Sequence, residues 1–338
     1  MIFNMGEGVA YKTPVLNSAY PANVTQLERA EGSAKFEVKI DAAGHPDSYT
    51  YQWYVNDVAV SGATSSSYTK TGLTSAATYS VYCKVTNKAG SINSRTAILT
   101  VQTTRPAFSY SGAYSLVQDS AYQWRLKFLT SGVVNFSHLG CFASGIDVFC
   151  VGGGGAGGGD GAGMYGNCGG GGGGGYTTTA RKIAISAYAD SWIEVGAGGP
   201  AVGAATAGNA GGSTSAFGVT ALGGSGGNGW LGAGNGGSGG GGGYGNDGGE
   251  YAQGGAGGSD GSNGGGTHYG WGQGFTTREF GESWGTLYAG GGGGGNGYAG
   301  GDGGGGSDGN PGANNYGGGG GAGGAAGGSG IVVIRDAR

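Results

Sequence analysis

Hydrophobic and polar positions alternate in short runs along the first hundred residues. Ala34 to Ile40 (AKFEVKI) and Tyr49 to Val55 (YTYQWYV) have the period of two that places every second side chain on one face of a strand. A polar segment, SGATSSSYTKTGLTSAA, follows, and then come TYSVYCKVTNKAG and a run from Thr96 to Val101. Short strands with turn residues between them predict a β-sandwich over residues 19–102.

A second series of strand-like runs begins after Arg105-Pro106. The run YQWRLKFLT, 122–130, places Trp124, Leu126 and Phe128 on one face, and the chain returns at 133–137 after a Ser-Gly turn. Further hydrophobic islands follow, namely IDVFCV (146–151), KIAIS (182–186), SWIEV (191–195), AFGVTAL (216–222) and IVVIR (331–335). We predict one sandwich over residues 107–338, in which the run at 331–335 closes the sheet that the first strands open.

Glycine tracts separate these islands and hold most of the 91 glycines of the chain. Charged residues are 11% and aromatic residues 11%, whereas disordered chains are usually charged and poor in aromatics. Tracts such as GGSGGNG (223–229), NGGSGGGGG (235–243) and GGAGGSDG (254–261) have a GGX spacing. A left-handed polyproline-II-type helix has three residues per turn, so X falls on one edge and glycine on the two others. We therefore predict an ordered array of polyglycine II helices whose backbones hydrogen-bond to one another.

Residues 19–102 resemble a bacterial or phage immunoglobulin-like domain. Trp53 stands where the buried tryptophan of strand C belongs, Tyr79 fits the tyrosine corner, and Val81 and Cys83 share the inward face of one strand. No cysteine precedes Cys83, so the usual disulfide is missing. The resemblance implies a spacer module.

Residues 107–338 resemble the glycine-rich domain at the ends of many bacteriophage tail and fibre proteins. The resemblance lies in VGGGGAGGGDGAG, GGGGGGGY, IEVGAGGP, FGVTALGGSGG and GGSGIVVIR. It implies an all-β fold class, an immunoglobulin-like β-sandwich followed by a β-sandwich framework that carries a bundle of polyglycine II helices.

The same resemblance implies a function. We expect a virion structural protein, a tail-fibre adhesin that contacts the host through apical loops, with a bacterial surface glycan or outer protein as its partner. Residues 1–18 are expected to dock on other virion proteins, and other copies of the chain are potential partners. The alternative is a capsid or tail decoration protein with a purely structural role.

Charge and hydropathy narrow the function classes. The net charge is −4 without a basic cluster, which argues against a nucleic-acid partner. No apolar run approaches the ~20 residues that span a bilayer. The N-terminus, MIFNMGEGVAYKTP, lacks the basic and apolar regions of a signal peptide. These features favour assembly in the host cytoplasm and a place on the phage particle.

Motifs for catalysis and metal binding are weak. Cys83, Cys141, Cys150 and Cys168 have no zinc-like spacing, and a Cys141–Cys168 disulfide stays open, although reduced thiols fit the cytoplasmic route better. GGYGND (242–247) and GGGGSD (303–308) match only the start of a calcium-binding nonapeptide. Glu279 and Glu282 are a carboxylate pair of the kind that glycosidases use, but a pair in a polar loop is more often solvated. We predict no enzyme activity and no cofactor.

The candidate receptor-binding residues are aromatic or basic. Residues 267–288, THYGWGQGFTTREFGESWGTLY, form the longest glycine-poor stretch of the distal half, and Trp, Tyr and Arg dominate binding hot spots. The alternative, that this stretch packs against the glycine array or the sandwich, stays open. Leu231, Tyr251, Tyr298 and Tyr316 are minor candidates for apical positions. The main candidates are His268, Tyr269, Trp271, Phe275, Arg278, Phe280, Trp284 and Tyr288, with Trp230 and Tyr244 as apical residues.

Overall fold

The computed structural model describes residues 12–41, 48–161, 168–229, 232–243, 255–257 and 277–338. The chain divides into two units, Met1–Thr104 and Arg105–Arg338. Strands dominate both units, and the helical elements of the described residues are short 3-10 turns at Gly140–Ser144 and Glu279–Gly281. No helix within those ranges is long and apolar enough to cross a membrane.

The first unit contains two sheets that share one core. One sheet has the order β1-β8-β6-β3-β4, with β7 beside β6, and the other pairs β2 with β5. Both contribute side chains to one hydrophobic cluster. The strands are β1 (Val24–Leu27), β2 (Ser33–Glu37), β3 (Thr50–Val55), β4 (Val58–Ala59), β5 (Ser67–Thr71), β6 (Ala77–Asn87), β7 (Gly90–Asn93) and β8 (Ala97–Gln102).

Trp53 lies at the centre of this core. Its side chain is fully buried opposite Cys83 in the antiparallel pair of β3 and β6, and its Nε1–H donates a hydrogen bond of 2.8 Å to the Ser65 carbonyl. Val81 and Cys83 are both fully buried, so the predicted inward face of this strand is confirmed. The Tyr79 ring lies 5.1 Å from Lys70 Nζ.

The second unit is a sandwich of two five-stranded sheets. One has the order β10-β11-β18-β13-β14 and the other β17-β16-β15-β12-β9. Their facing side chains form one core that includes Phe128, Phe136 and Ile334. The strands are β9 (Ala107–Tyr110), β10 (Tyr114–Ser120), β11 (Gln123–Phe128), β12 (Gly132–His138), β13 (Ile146–Val151), β14 (Thr177–Ile183), β15 (Asp190–Glu194), β16 (Thr214–Ala216), β17 (Val219–Ala221) and β18 (Ile331–Asp336).

The strand at 331–335 does close the sheet, as predicted, because β18 pairs with β11 on one side and β13 on the other. The single strand predicted at 216–222 is wrong. A turn at Phe217 and Gly218, both with positive φ, divides this segment and creates the hairpin of β16 and β17. The glycine at position 218 serves this turn because it adopts positive φ without steric cost.

Glycine segments leave the sandwich and return to it as a bundle. In the segment 152–159, which follows β13, residues 153–159 donate N–H groups to three neighbours in turn, with N–O distances of 2.8–2.9 Å. Residues 153, 156 and 159 donate to 206–212, residues 154 and 157 to 325–328, and residues 155 and 158 to 170–173. The period of three is that of a polyproline-II-type helix.

The carbonyl groups of the same segment accept from three further segments. Gly224 and Gly227 donate to Gly153 and Ala156, Gly199 donates to Gly154, and residue 320 donates to residue 155. Within the described residues, six segments therefore surround 152–159. This arrangement confirms the ordered array and replaces the hydrogen bonds that each backbone would otherwise make with water.

The GGX interpretation holds in one tract and fails in another. Leu222, Ser225 and Asn228 are exposed at intervals of three, while the glycines at 224 and 227 are buried, as the spacing predicts. In the tract 235–243, however, Ser238 is fully buried. It lies where the chain reverses from one segment to the next, and a turn interrupts the three-residue phase. The tract 254–261 lies mainly outside the described residues.

Candidate functional site

Several turns meet at the end of the bundle that the segment 152–159 reaches after leaving β13, here called the distal end. Ala205 N–H donates to the Asp160 carbonyl at 2.8 Å, and Gly324 N–H donates to the Gly158 carbonyl at 3.0 Å. Gly309 N–H likewise donates to the Ala322 carbonyl at 2.8 Å. Turns that are far apart in sequence are thus held side by side.

Polar side chains are exposed at these turns. They carry amide and hydroxyl groups, which can donate and accept hydrogen bonds, and one carboxylate, which accepts them. Asn296 has positive φ, a conformation that asparagine tolerates better than most residues. The exposed polar residues are Asp160, Thr206, Asn228, Asn296 and Asn310. None of these five residues was predicted as a site residue, although Asn228 occupies an X position of the GGX tract.

A second candidate surface lies on the outer face of the sheet that contains β13 and β18. Both strands are buried on both faces, and the outward side chains Phe149 and Val333 contact the segment 277–289. Phe280 and Tyr288 from this segment are each only 2% exposed, with ring centroids 6.0 and 5.5 Å from that of Phe149. The described part of the aromatic stretch is therefore packed on the sandwich.

Charged side chains fix this segment to the sheet. Arg125 of β11 pairs with Glu279 and Glu282, and Arg335 of β18 pairs with Glu282 at 2.5 Å. Lys127 also pairs with Glu279. Asp147 of β13 is fully buried beside these charged groups. Its Oδ2 atom lies 3.2 Å from Arg335 Nη2 and 3.1 Å from Arg181 Nη1. Two of these groups could have been noticed as lone charges in apolar strands, IDVFCV and IVVIR.

Glu279 is not the solvated carboxylate expected from the sequence. It is 5% exposed, and burial by itself raises the pKa of its carboxyl group. Hydrogen bonds from Lys127, Tyr288 and Arg125 outweigh burial and hold the pKa below its ordinary value. Tyr288 has a raised pKa because it is buried beside this carboxylate. A general acid needs a raised pKa, so the paired Glu279 does not suit that role.

An open pocket of about 290 Å³ lies at the rim of this charged network. Arg125, Lys127, Glu279 and Glu282 line its polar wall. Trp284 stands at its edge with 84% of its surface exposed. The pocket thus places an exposed indole beside fixed hydrogen-bonding groups.

The predicted site residues differ in how far they are exposed to solvent. Trp284 is displayed, and Arg278 is half-buried. Phe280 and Tyr288 are buried, so their predicted display is corrected, because both cover the apolar outer face of β13 and β18. Tyr298 is half-buried at the distal end. The ring centroid of Tyr316 lies 5.5 Å from that of Tyr288, away from the distal end. Six main candidates lie outside the described ranges, namely Trp230, Tyr244, His268, Tyr269, Trp271 and Phe275, and so do the minor candidates Leu231 and Tyr251.

Cysteine and metal chemistry add no further site in the described part of the chain. Cys83, Cys141, Cys150 and Cys168 are all thiols, so the disulfide left open is not formed. Burial raises the pKa of the Cys150 and Cys141 thiols to about 12, which makes them poor nucleophiles. Among the described residues, no three His, Cys, Asp or Glu side chains cluster so as to hold a metal ion.

Comparison with known proteins identifies one family. A family model described as a glycine-rich domain matches residues 136–336, which run from β12 to β18 and include the bundle. No curated protein sequence matches the chain.

Proposed function

The chain belongs to the glycine-rich domain family, and from that premise we propose that it is a bacteriophage virion protein, a tail-fibre adhesin whose distal end contacts the bacterial surface. The observation that carries the proposal is the convergence of several turns, with exposed polar side chains, at one end of an internally hydrogen-bonded bundle. The phage assignment itself rests on the resemblance of the glycine tracts to tail and fibre proteins.

The bundle suits this role because its backbone segments can move little relative to one another. Residues of 152–159 and of 170–175 hydrogen-bond to segments on all sides, so movement of one segment would break bonds to several others. A rigid support reduces the entropy lost when surface turns bind a partner. Sequence changes in the turns can then alter recognition without disturbing the support.

The distal side chains suit a bacterial surface glycan or an outer protein as partner. Asn228 and Asn296 present amides that donate and accept hydrogen bonds, as sugar hydroxyls and peptide groups require. Single contacts of this kind are weak, and many copies on one particle would make attachment firm. In this proposal the first unit is an immunoglobulin-like spacer, and residues 1–18 dock on the virion.

Cell binding tests the proposal. The fluorescently labelled protein would be incubated with a panel of bacterial strains, and the cell-bound fraction would be compared with that of an Asn228→Ala, Asn296→Gly double variant. Glycine at position 296 keeps the positive φ of that turn. Asn93→Ala, at an exposed position in the first unit, is the matched control.

We expect the double variant to lose binding and the control to retain it. Binding that survives in the double variant would show that the contact with the bacterial cell does not lie at the distal end. Immunolabelling of virions separates the alternative role, because label at fibre tips supports adhesion and label across the capsid lattice supports decoration.

A further inference from the structure

We propose that the pocket beside Trp284 binds a neutral pyranose ring of a glycan, at a site separate from the distal end. The pocket is about 290 Å³, at the small end of ligand sites, and therefore suits a single sugar ring. The inference rests on the side chains of this pocket and stands apart from the proposal of a phage adhesin.

The indole supplies the apolar face that a sugar needs. Trp284 lies in the turn before Gly285, whose φ of +103° strongly favours glycine. The residue is 84% exposed, and Val117, which is 43% exposed, lines the same pocket. The C–H face of a pyranose packs on such a ring, and this contact removes apolar surface of both partners from water.

The wall supplies hydrogen-bonding groups in fixed positions. Arg125 Nη2 binds Asp119 Oδ2 at 2.9 Å and Glu282 Oε1 at 3.0 Å, so both carboxylates are held in place. The side chains of Glu282 and Lys127 nevertheless keep 31% and 23% of their surface in solvent. A carboxylate accepts hydrogen bonds from sugar hydroxyls and an ammonium donates to them. Groups positioned before binding lose little entropy on binding.

The charge of the wall selects a neutral sugar. Its carboxylates are Asp119, Glu279 and Glu282, and its cations are Arg125 and Lys127. Both cations pair with these carboxylates, and Asp119 and Glu282 pair in addition with Arg338 and Arg335. An acidic sugar would therefore find no unpaired cation in this wall to offset its charge.

Titration with methyl α-D-glucoside, methyl α-D-galactoside and methyl α-D-mannoside tests the inference in the full chain. Binding would be followed by tryptophan fluorescence and by saturation-transfer NMR. We expect saturable binding of at least one glycoside, weakened about tenfold or more in Trp284→Ala and largely restored in Trp284→Phe. Trp192→Ala is the matched control, because this indole is also exposed, at 59%, but lies on the other sheet.

Two results would overturn the inference as a whole, and a third would overturn its assignment to neutral sugars. One is the absence of saturable binding to all three glycosides, and the other is equal binding by the Trp284→Ala and Trp192→Ala variants. Tighter binding of methyl β-D-glucuronide than of the neutral glycosides would show that the pocket does not select neutral sugars. The distal double variant should bind sugar normally, so failure here and failure of the adhesin proposal are distinguishable.

Discussion

The carbonyl oxygen of Gly321 occupies the space that a side chain on Gly157 would need. A Cβ built at position 157 would lie 1.9 Å from that oxygen, well inside any van der Waals contact. The φ of Gly157 does not lie in the left-handed region, so its own backbone would accept other residues. Close packing of neighbouring backbones, rather than local conformation, requires glycine here.

Gly157→Ala should therefore destabilise the second unit. We expect a loss of about 3 kcal/mol, because the added methyl group must push two backbones apart in a close-packed bundle. Gly203→Ala is the matched control, since a Cβ there meets nothing within 4 Å. Thermal unfolding by calorimetry should show a lower Tm for the first variant and an unchanged or slightly higher Tm for the second. Equal effects would mean that backbone packing does not set the glycine requirement.

Amide hydrogen exchange should be slow in the interior of the bundle. Gly155 and Gly158 donate to carbonyls at 2.8 Å, and Gly170 and Gly173 of a neighbouring segment do the same at 3.1 and 2.9 Å. Mass spectrometry should show that the amide hydrogens of peptides covering 152–159 exchange only when a larger part of the second unit unfolds. The same peptides in denaturant supply the unprotected rate. Exchange at that rate in the native protein would reclassify the segment as a loop.

The stability that Glu279 contributes should depend on pH in the acid range. Its carboxyl pKa is lowered from 4.5, so the contribution is present above pH 4.5 and is lost as the pH falls through the lower folded value. Glu279→Gln should cost about 3 kcal/mol at neutral pH, because Arg125 and Lys127 lose a buried charged partner.

The measurement is Tm as a function of pH for both proteins. The difference between them should shrink below pH 4.5. Glu194→Gln, at an exposed position of β15, should change Tm little at any pH. A difference that stays constant into strong acid would show that Glu279 is not the titrating group.

Thiol labelling should separate the cysteines by burial. Cys150 is fully buried with a pKa of about 12, whereas Cys168 is partly exposed near the distal end. Maleimide at neutral pH should modify Cys168 first and leave Cys150 unmodified until the unit unfolds. Peptide mapping by mass spectrometry reads the order, with all four positions labelled in denaturant as the control. Equal labelling rates in the native protein would contradict a closed sandwich core.

The sequence predicted the framework well because its strands are strongly patterned. Alternation in 122–130 led to β11, and the apolar runs at 146–151 and 331–335 led to β13 and β18. β5 was missed because Ser67–Thr71 is polar and forms a strand only by pairing with the distant β2. Long-range pairing of this kind leaves little local signal.

The charged network could not be derived from the sequence for a similar reason. Arg125, Glu282 and Arg335 are far apart along the chain, and the strand order β11-β18-β13 brings their positions together. Display and packing were both left open for the stretch 267–288, and the structure shows Trp284 exposed but Phe280 and Tyr288 buried. An aromatic side chain in a glycine-poor loop can serve either role, and only the apolar outer face of the sheet decides between them.

The position of β18 between β11 and β13 has a consequence for how the protein acquires its structure during synthesis. Until residues 331–336 leave the ribosome, β11 and β13 each lack a neighbour, although most of the glycine-rich chain has already been made. Contacts between such distant segments form slowly, and unpaired strand edges invite wrong partners meanwhile. The second unit should therefore fold late and all together, and its yield in cells should depend on what protects these edges during translation.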